Sequence, residues 1–245
     1  MTPLCPSARC LTAAAIFGVP IEPPAHWPVR GSGRSTALRA VHARAHAAAA
    51  DLDAALAPGR VALVTGPSGA GKSLLLAALR DRLGSRAIAA RPPGSDRAAR
   101  ALVDLDPAPL TEWLACLARS GLAEAALLTV PYARLSEGQR HRADLALALA
   151  RLQRRASIAA GLRGPRQPVP TLVADEFAST LDRLTARSLA CVLRRWVRPL
   201  PGARGGRVPA IRAVVATAHD DLIEALRPDV LVVVPLDAPP EVHAR

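Results

Sequence analysis

Gly66-Pro67-Ser68-Gly69-Ala70-Gly71-Lys72-Ser73 fits the pattern G-x-x-x-x-G-K-[ST], and its flanks decide the reading. The apolar run Val61-Ala62-Leu63-Val64 leads in and Leu74-Leu75-Leu76-Ala77-Ala78-Leu79 leads out, so the loop stands between a predicted strand and a predicted helix. Glycines in such a loop let successive backbone N–H groups face one concavity at a helix N-terminus, which suits phosphate oxygens. Lys72 is then placed to reach the β- and γ-phosphates of a nucleotide and Ser73 to offer its hydroxyl to Mg²⁺. Lys72 is also the only lysine in a chain with 32 Lys and Arg. A compact ammonium is not equivalent to a planar guanidinium, so the one position that keeps lysine is one where arginine does not substitute.

Working outward, Leu76, Leu79 and Leu83 mark one face of the helix after the loop, and Gly84 ends it. Ala87 to Ala90 predicts a short strand, and Ala101-Leu102-Val103 another, ending at Asp104. Leu110 to Leu128 reads as two helices split near Gly121. Leu135-Ser136-Glu137-Gly138-Gln139 opens a long helix with an apolar stripe at Leu145, Ala148, Leu149 and Leu152. Ser136 and Gln139 have the spacing of a capping box, in which hydroxyl and amide satisfy orphan N–H groups. Thr171 to Ala174 is a buried strand that delivers Asp175 and Glu176 to its C-terminal end. A helix with Leu189, Val192, Leu193 and Trp196 on one face follows, then a strand over Ile211 to Ala216 with His219 past its end, and a last strand over Asp229 to Val234. Strands alternating with helices predict an α/β fold with a largely parallel sheet.

Residues 1–36 form a Pro/Gly-rich lead-in, and 235–245 a proline-rich tail. Ala37 to Ala57 is Ala-rich, and propensity makes it helix. Four cysteines, Cys5, Cys10, Cys116 and Cys191, have no C-x-x-C pair or repeated spacing, so free thiols are expected rather than a zinc site or disulfide framework. The charge of +12 invites a polyanion, but the arginines are dispersed and the aromatic content of 2% supplies no stacking platform for bases. No apolar run approaches the ~20 residues of a spanning helix. A soluble protein of the cytoplasm, where ATP is, is therefore expected.

Four stretches stand in order: GPSGAGKS at 66–73, LSEGQ at 135–139, LVADEFASTLD at 172–182, and the strand followed by His219. Together they resemble the ABC-type ATPases, in which the second is the signature motif, the third holds the Walker B strand and D-loop, and the histidine is the switch residue. The wording of LSEGQRHR, ADEFASTLDRLTAR and ATAHDDLIEALRPDV is similar to soluble ABC-type ATPases sometimes joined to a predicted acetyltransferase domain. The resemblance implies a P-loop NTPase core, a largely parallel sheet flanked by helices, with a small helical signature subdomain at about 105–145 inside a domain of 37–234. It also implies that part of Ala37 to Ala57 is strand.

By the same resemblance ATP is held by Gly66, Pro67, Ser68, Gly69, Ala70, Gly71, Lys72 and Ser73. Asp175 orients Mg²⁺ through water, Glu176 positions or deprotonates the attacking water, and His219 contacts the γ-phosphate. Ser136, Gly138 and Gln139 act in trans, at nucleotide held by a second copy in an ATP-dependent homodimer. LSEGQ replaces the commoner LSGGQ, Phe177 stands where transporter subunits usually have Pro, and no glutamine occurs between Ser73 and Leu135 to serve as the Q-loop residue. Asp104, closing its expected strand beside the phosphate loop, is the candidate to reach Mg²⁺ in that glutamine's place. The short interval between Ser73 and Leu135 disfavours a transporter subunit. The expectation is thus a Mg-ATP hydrolase acting on an unidentified protein partner, with a transporter's ATP-binding subunit and a nucleotide-gated nucleic-acid-binding module as alternatives.

Overall fold

The computed structural model describes residues 32–161, 168–197, 211–236 and 238–244. The lead-in up to residue 31, the core of the Gly161–Pro170 loop and the Pro199–Pro209 loop lie outside them, as do Cys5 and Cys10. Contacts divide the chain into Met1–Ala40 and Val41–Arg245, and of the first unit the described residues are the opening of helix α1 (Ser32–Ala55).

The second unit is built on a six-stranded sheet of order β2-β3-β4-β1-β5-β6. Its strands are β1 (Val61–Thr65), β2 (Ala87–Ala89), β3 (Thr171–Ala174), β4 (Arg212–Ala216), β5 (Val230–Val233) and β6 (Glu241–Ala244). The first five in that order run parallel, and β6 returns antiparallel to β5. β1 is flanked on both sides, pairing Val61 with Ala213 and Ala62 with Val230. Both faces of such a strand must be apolar, and every residue of Val61–Thr65 is buried.

The pleat sends alternate residues to two cores. Ala62, Val64, Val173, Val214, Ala216, Val230 and Val232 pack with α1 and α2 (Lys72–Leu83). Val61, Leu63, Leu172, Ala174, Ala213 and Val215 pack with α4 (Leu110–Arg119), α6 (Glu137–Gly161), α7 (Arg183–Val197) and α8 (Leu222–Leu226). Two single-turn helices, α3 (Ser95–Ala98) and α5 (Ala125–Leu128), complete the connection between β2 and α6.

Two sequence expectations are corrected. Ala101-Leu102-Val103 is not a sheet strand: Leu102–Asp104 is one 3₁₀ turn, and Ala101 makes only an isolated bridge to Pro131. A three-residue apolar run cannot distinguish a strand from a buried turn, and Leu102 is buried through the helical layer, its carbonyl accepting the Trp113 indole N–H at 3.0 Å. Nor is any of Ala37 to Ala57 strand. Ala45, Ala48, Ala49 and Leu52 bury one helical stripe against the sheet, so propensity and packing agree. The proline-rich tail adds the unexpected edge strand β6. Of the described cysteines Cys116 is buried, Cys191 is exposed, and both are free. No helix among the described residues is long and apolar enough to cross a membrane.

Arg212 ties α1 to the sheet. Its Nε donates to Thr171 Oγ1 at 3.0 Å, Nη1 to the Leu56 carbonyl at 2.9 Å, and Nη2 to Asp53 Oδ1 at 2.9 Å. Only 7% of the arginine side chain is exposed, so its loss leaves buried acceptors unpaired. Arg212→Met is expected to destabilise by about 3 kcal/mol, read by urea unfolding; a change below the error of that measurement would remove Arg212 from the supports of the fold.

Tyr132 donates its hydroxyl to Asp144 Oδ1 at 2.8 Å, fastening the segment before Leu135 to α6. Burial pushes the Asp144 carboxyl up from 3.8 to about 6, against the opposing bond from Tyr132 and the charges of Arg151 and Arg140. The folded chain therefore holds the proton more tightly than the unfolded one, and stability falls as pH rises through 3.8 to about 6. Asp144→Asn is expected to flatten that slope, and unfolding midpoints at pH 4 and pH 7 compared with wild type check it.

Candidate active site

Because β3, β4 and β1 are adjacent and parallel, the segments that leave their C-terminal ends share one edge of the sheet. Gly66 to Ser73 follow β1, Asp175 and Glu176 follow β3, and His219 follows β4. Thr217 donates its N–H to the Val64 carbonyl at 3.0 Å, and Phe177 donates its N–H to the Ala216 carbonyl at 2.7 Å, so the ladder continues past the strands into these segments.

The phosphate loop has the backbone that its glycines require. Gly66, Gly69 and Gly71 have φ of +143°, +81° and +99°, and a Cβ on Gly66 would stand 2.2 Å from the Val234 carbonyl oxygen. The loop is exposed to half-buried from Gly66 to Ser73, with open space beside Gly69 and Gly71. Lys72 arches back over it, donating from Nζ to the Gly66 carbonyl at 2.7 Å and the Pro67 carbonyl at 2.8 Å. The ammonium is thus held against the first two residues of the loop.

Sequence reasoning did not find Asp220, whose Oδ1 accepts the Thr65 hydroxyl at 2.8 Å and ties the segment after β4 to the entry of the phosphate loop. His219 precedes it, half-buried, with its N–H on Thr217 Oγ1 at 3.2 Å. Only tertiary pairing makes the Thr65–Asp220 contact, since those two residues are far apart in the chain. Arg183 at the start of α7 grips Asp221 through two bonds, one of them 3.0 Å from Nε, which anchors the same segment from the other side.

The turn after β3 is strained. Glu176 and Ala178 have φ of +47° and +59°, although neither is glycine, at a cost of roughly 1–3 kcal/mol each. Phe177 between them is buried at 1% exposure and plugs the core, while the Asp175 and Glu176 side chains remain at the exposed edge. Asp175 Oδ1 accepts the Glu176 N–H at 3.0 Å. The Phe177 N–H is spent on the Ala216 carbonyl, a bond that a Pro following Glu176 cannot make. Asp182 ends the turn by capping α7, its Oδ1 accepting the Thr185 N–H at 2.9 Å.

The capping box is formed as the spacing predicts. The Ser136 N–H donates to Gln139 Oε1 at 2.9 Å, and the Gln139 N–H donates to Ser136 Oγ at 3.3 Å. Ser136 is exposed, so the start of α6 faces outward with its N-terminal dipole end open to an anion. Arg142 steadies it with a 2.7 Å bond to the Gly121 carbonyl.

Asp104 does not join this constellation through the sheet, because the strand that was to carry it is a 3₁₀ turn in the helical layer. The strand that precedes the helical layer is β2, and the chain leaves it through Ala90 and Arg91, neither of which offers a carboxylate. Asp106 is committed to Arg154, which reaches both of its oxygens, the second at 3.1 Å.

This arrangement of a parallel sheet, phosphate loop and helical layer has a structural counterpart. Its fold is shared with a solved ABC transporter. A solved structure of a metal-chelate type ABC transporter in an inward-facing conformation matches at a TM-score of 0.52, with 16% identity over 77% of this chain and 73% of its own. A nucleotide-free ATP-binding cassette from an ABC transporter, 13% identical over 75% of this chain and 81% of its own, stands at a TM-score of 0.48 and adds nothing to that argument. No protein-family model matches the chain, and no curated protein matches it.

Gly66→Ala is expected to lower stability by about 1–3 kcal/mol and to distort the loop, because the atom it meets is backbone. Gly94→Ala is the control, with open space around it. Equal unfolding midpoints for the two variants would show that the close approach to Val234 is not a constraint.

Proposed function

We propose that this chain is an ABC-type ATPase that hydrolyses Mg-ATP in a homodimer and couples the cycle to a protein partner. The observation that carries the reading is that three segments leave one sheet edge, with Lys72 folded onto the loop after β1, the Asp175-Glu176 turn after β3, and His219 after the intervening β4, tethered through Asp220. The exposed, capped start of α6 is the complementary half, suited to phosphate held by a second copy.

In this reading the loop amides from Gly66 to Ser73 and the Lys72 ammonium hold the β- and γ-phosphates. The residues fit nucleotide: the three positive-φ glycines open the cradle, and two of them leave room where a side chain would intrude. Mg²⁺ would be held by the Ser73 hydroxyl and the Asp175 carboxylate, and it supplies neutralisation of charge on the phosphate oxygens. Glu176 orients or deprotonates the attacking water, and His219 offers a hydrogen bond to the γ-phosphate. Ser136, Gly138 and Gln139 of the other copy close the site and exclude water. The cytoplasm, where ATP is made available, is the proposed location.

Glu176→Gln keeps the shape of the turn but removes the base, so dimers with bound ATP are expected to accumulate. Ser136→Arg removes a cap worth roughly 1 kcal/mol and sets a bulky cation at the helix start, so ATP binding persists in the monomer and dimers are lost. Mixing Ser136→Arg with Lys72→Ala chains restores one composite site per heterodimer, and partial ATPase recovery is expected. Sedimentation of Glu176→Gln as a monomer at saturating ATP, together with no recovery in the mixture, would sink the shared-site reading.

A further inference from the structure

His141 lies one turn into α6, on the helix that carries Ser136 and Gly138, and it makes a bond that crosses to the turn after β3. Its Nε2 accepts the Ala178 N–H at 3.2 Å. An imidazole nitrogen that accepts must carry its lone pair, so this bond requires a neutral ring with the proton on Nδ1.

The bond falls on a part of the chain that has few other supports. Five backbone N–H groups of the turn are fastened, those of Ser179 and Leu181 to the Glu176 and Ala178 carbonyls within it. Glu176 N–H bonds to Asp175 within the turn, Phe177 N–H to Ala216 of β4, and Ala178 N–H to His141 of α6. Only the last reaches out of the sheet layer, and it fixes one of the two left-handed residues that bracket Phe177. Close packing marks the same junction independently: a Cβ on Gly138 would stand 3.2 Å from Leu181 Cδ2 and 3.6 Å from the Thr180 carbonyl oxygen.

We propose that His141 is a positioning residue that locks the turn bearing Glu176 to the helix bearing Ser136, so that the base of one site and the helix start serving the other move as one piece. The role of Glu176 in this inference rests on the reading of the chain as an ATPase. The lock itself does not.

Burial holds the His141 ring below its ordinary value of 6.5, and the Glu176 carboxylate, the charged group facing it from the turn, opposes that shift. The unfolded chain therefore binds this proton more readily than the folded one. The stabilising bond is fully present above about pH 6.5 and is lost as pH falls through the lower folded value.

The test uses the full chain with His141→Gln, whose amide oxygen can accept the same N–H, and His141→Leu, which cannot. Hydrogen-exchange protection of the Ala178 amide is measured without nucleotide, and kcat and KM for Mg-ATP are measured with it. His141→Leu is expected to lose about tenfold or more of Ala178 protection and a similar factor in kcat, with KM little changed, because a misplaced group costs the chemical step. His141→Gln is expected to recover both. Wild-type Ala178 protection should also fall below about pH 6.5 while that of His141→Gln stays flat, and this comparison decides the matter if the leucine variant does not fold. Unchanged protection at Ala178 in His141→Leu, or pH-independent protection in wild type, overturns the lock. Wild-type ATP turnover with an unaffected kcat in a His141→Leu protein that has lost protection overturns its link to Glu176. A wild-type chain with no ATP turnover defeats the ATPase reading instead, and leaves the exchange result to decide the lock.

Discussion

The parallel pairing of β3, β4 and β1 is the constraint on which the remaining structure depends. Parallel strands end on the same edge, so strand order brings three segments from distant parts of the sequence to it, and the Thr65–Asp220 bond fastens two of them. The cost of building such an edge is a core buried on both faces, and the chain meets it chiefly with Val, Leu and Ala, with Trp113, Tyr132 and Phe177 on one face. Arg212 is the exception within β4, a buried cation whose five-donor fork is spent on Thr171, Asp53 and the end of α1. It substitutes hydrogen bonding for apolar contact at the one place where a helix end must be fastened to a strand.

Around that edge, strain and anchoring occur together. Glu176 and Ala178 adopt backbone conformations that β-carbons disfavour, and the neighbouring bonds of Phe177, Asp175 and His141 hold them there. The buried phenyl ring next to the exposed Glu176 works as a lever, since the ring cannot leave the core without exposing apolar surface. The phosphate loop is arranged differently, with glycines that adopt the same half of backbone space at little cost and a lysine that closes the loop on its own carbonyls. One side of the site is thus held by intrinsic conformational freedom, the other by imposed contacts. That difference makes the turn after β3 the more sensitive of the two to changes in α6.

Much of this was legible in the amino-acid order. The phosphate loop, the capping box at Ser136 and Gln139, the Gly84 helix stop and the delivery of Asp175-Glu176 by a buried strand are local patterns, and local backbone physics decides them. Ala101-Leu102-Val103 shows where such reading stops. Three apolar residues satisfy a strand or a buried turn equally, and the choice is made by Trp113 and Pro131, which are brought there by other elements. The edge strand β6 was hidden for a related reason, because Glu241-Val242-His243-Ala244 has weak strand character and pairs only because β5 offers it an open edge.

The sequence by itself determined the chemistry available: a lone lysine in a glycine loop, two consecutive carboxylates after a strand, a serine at a helix start and a histidine after another strand. The tertiary structure alone decided which of these are neighbours and what holds them. It set Asp220 on Thr65 and His141 on Ala178, and it made a 3₁₀ turn of the strand that was to carry Asp104. The physical reason is range. Turn geometry, capping and helical periodicity act within a few residues, whereas the partners of a buried imidazole or a carboxylate are chosen by strand order and helix packing, which no short stretch of sequence contains.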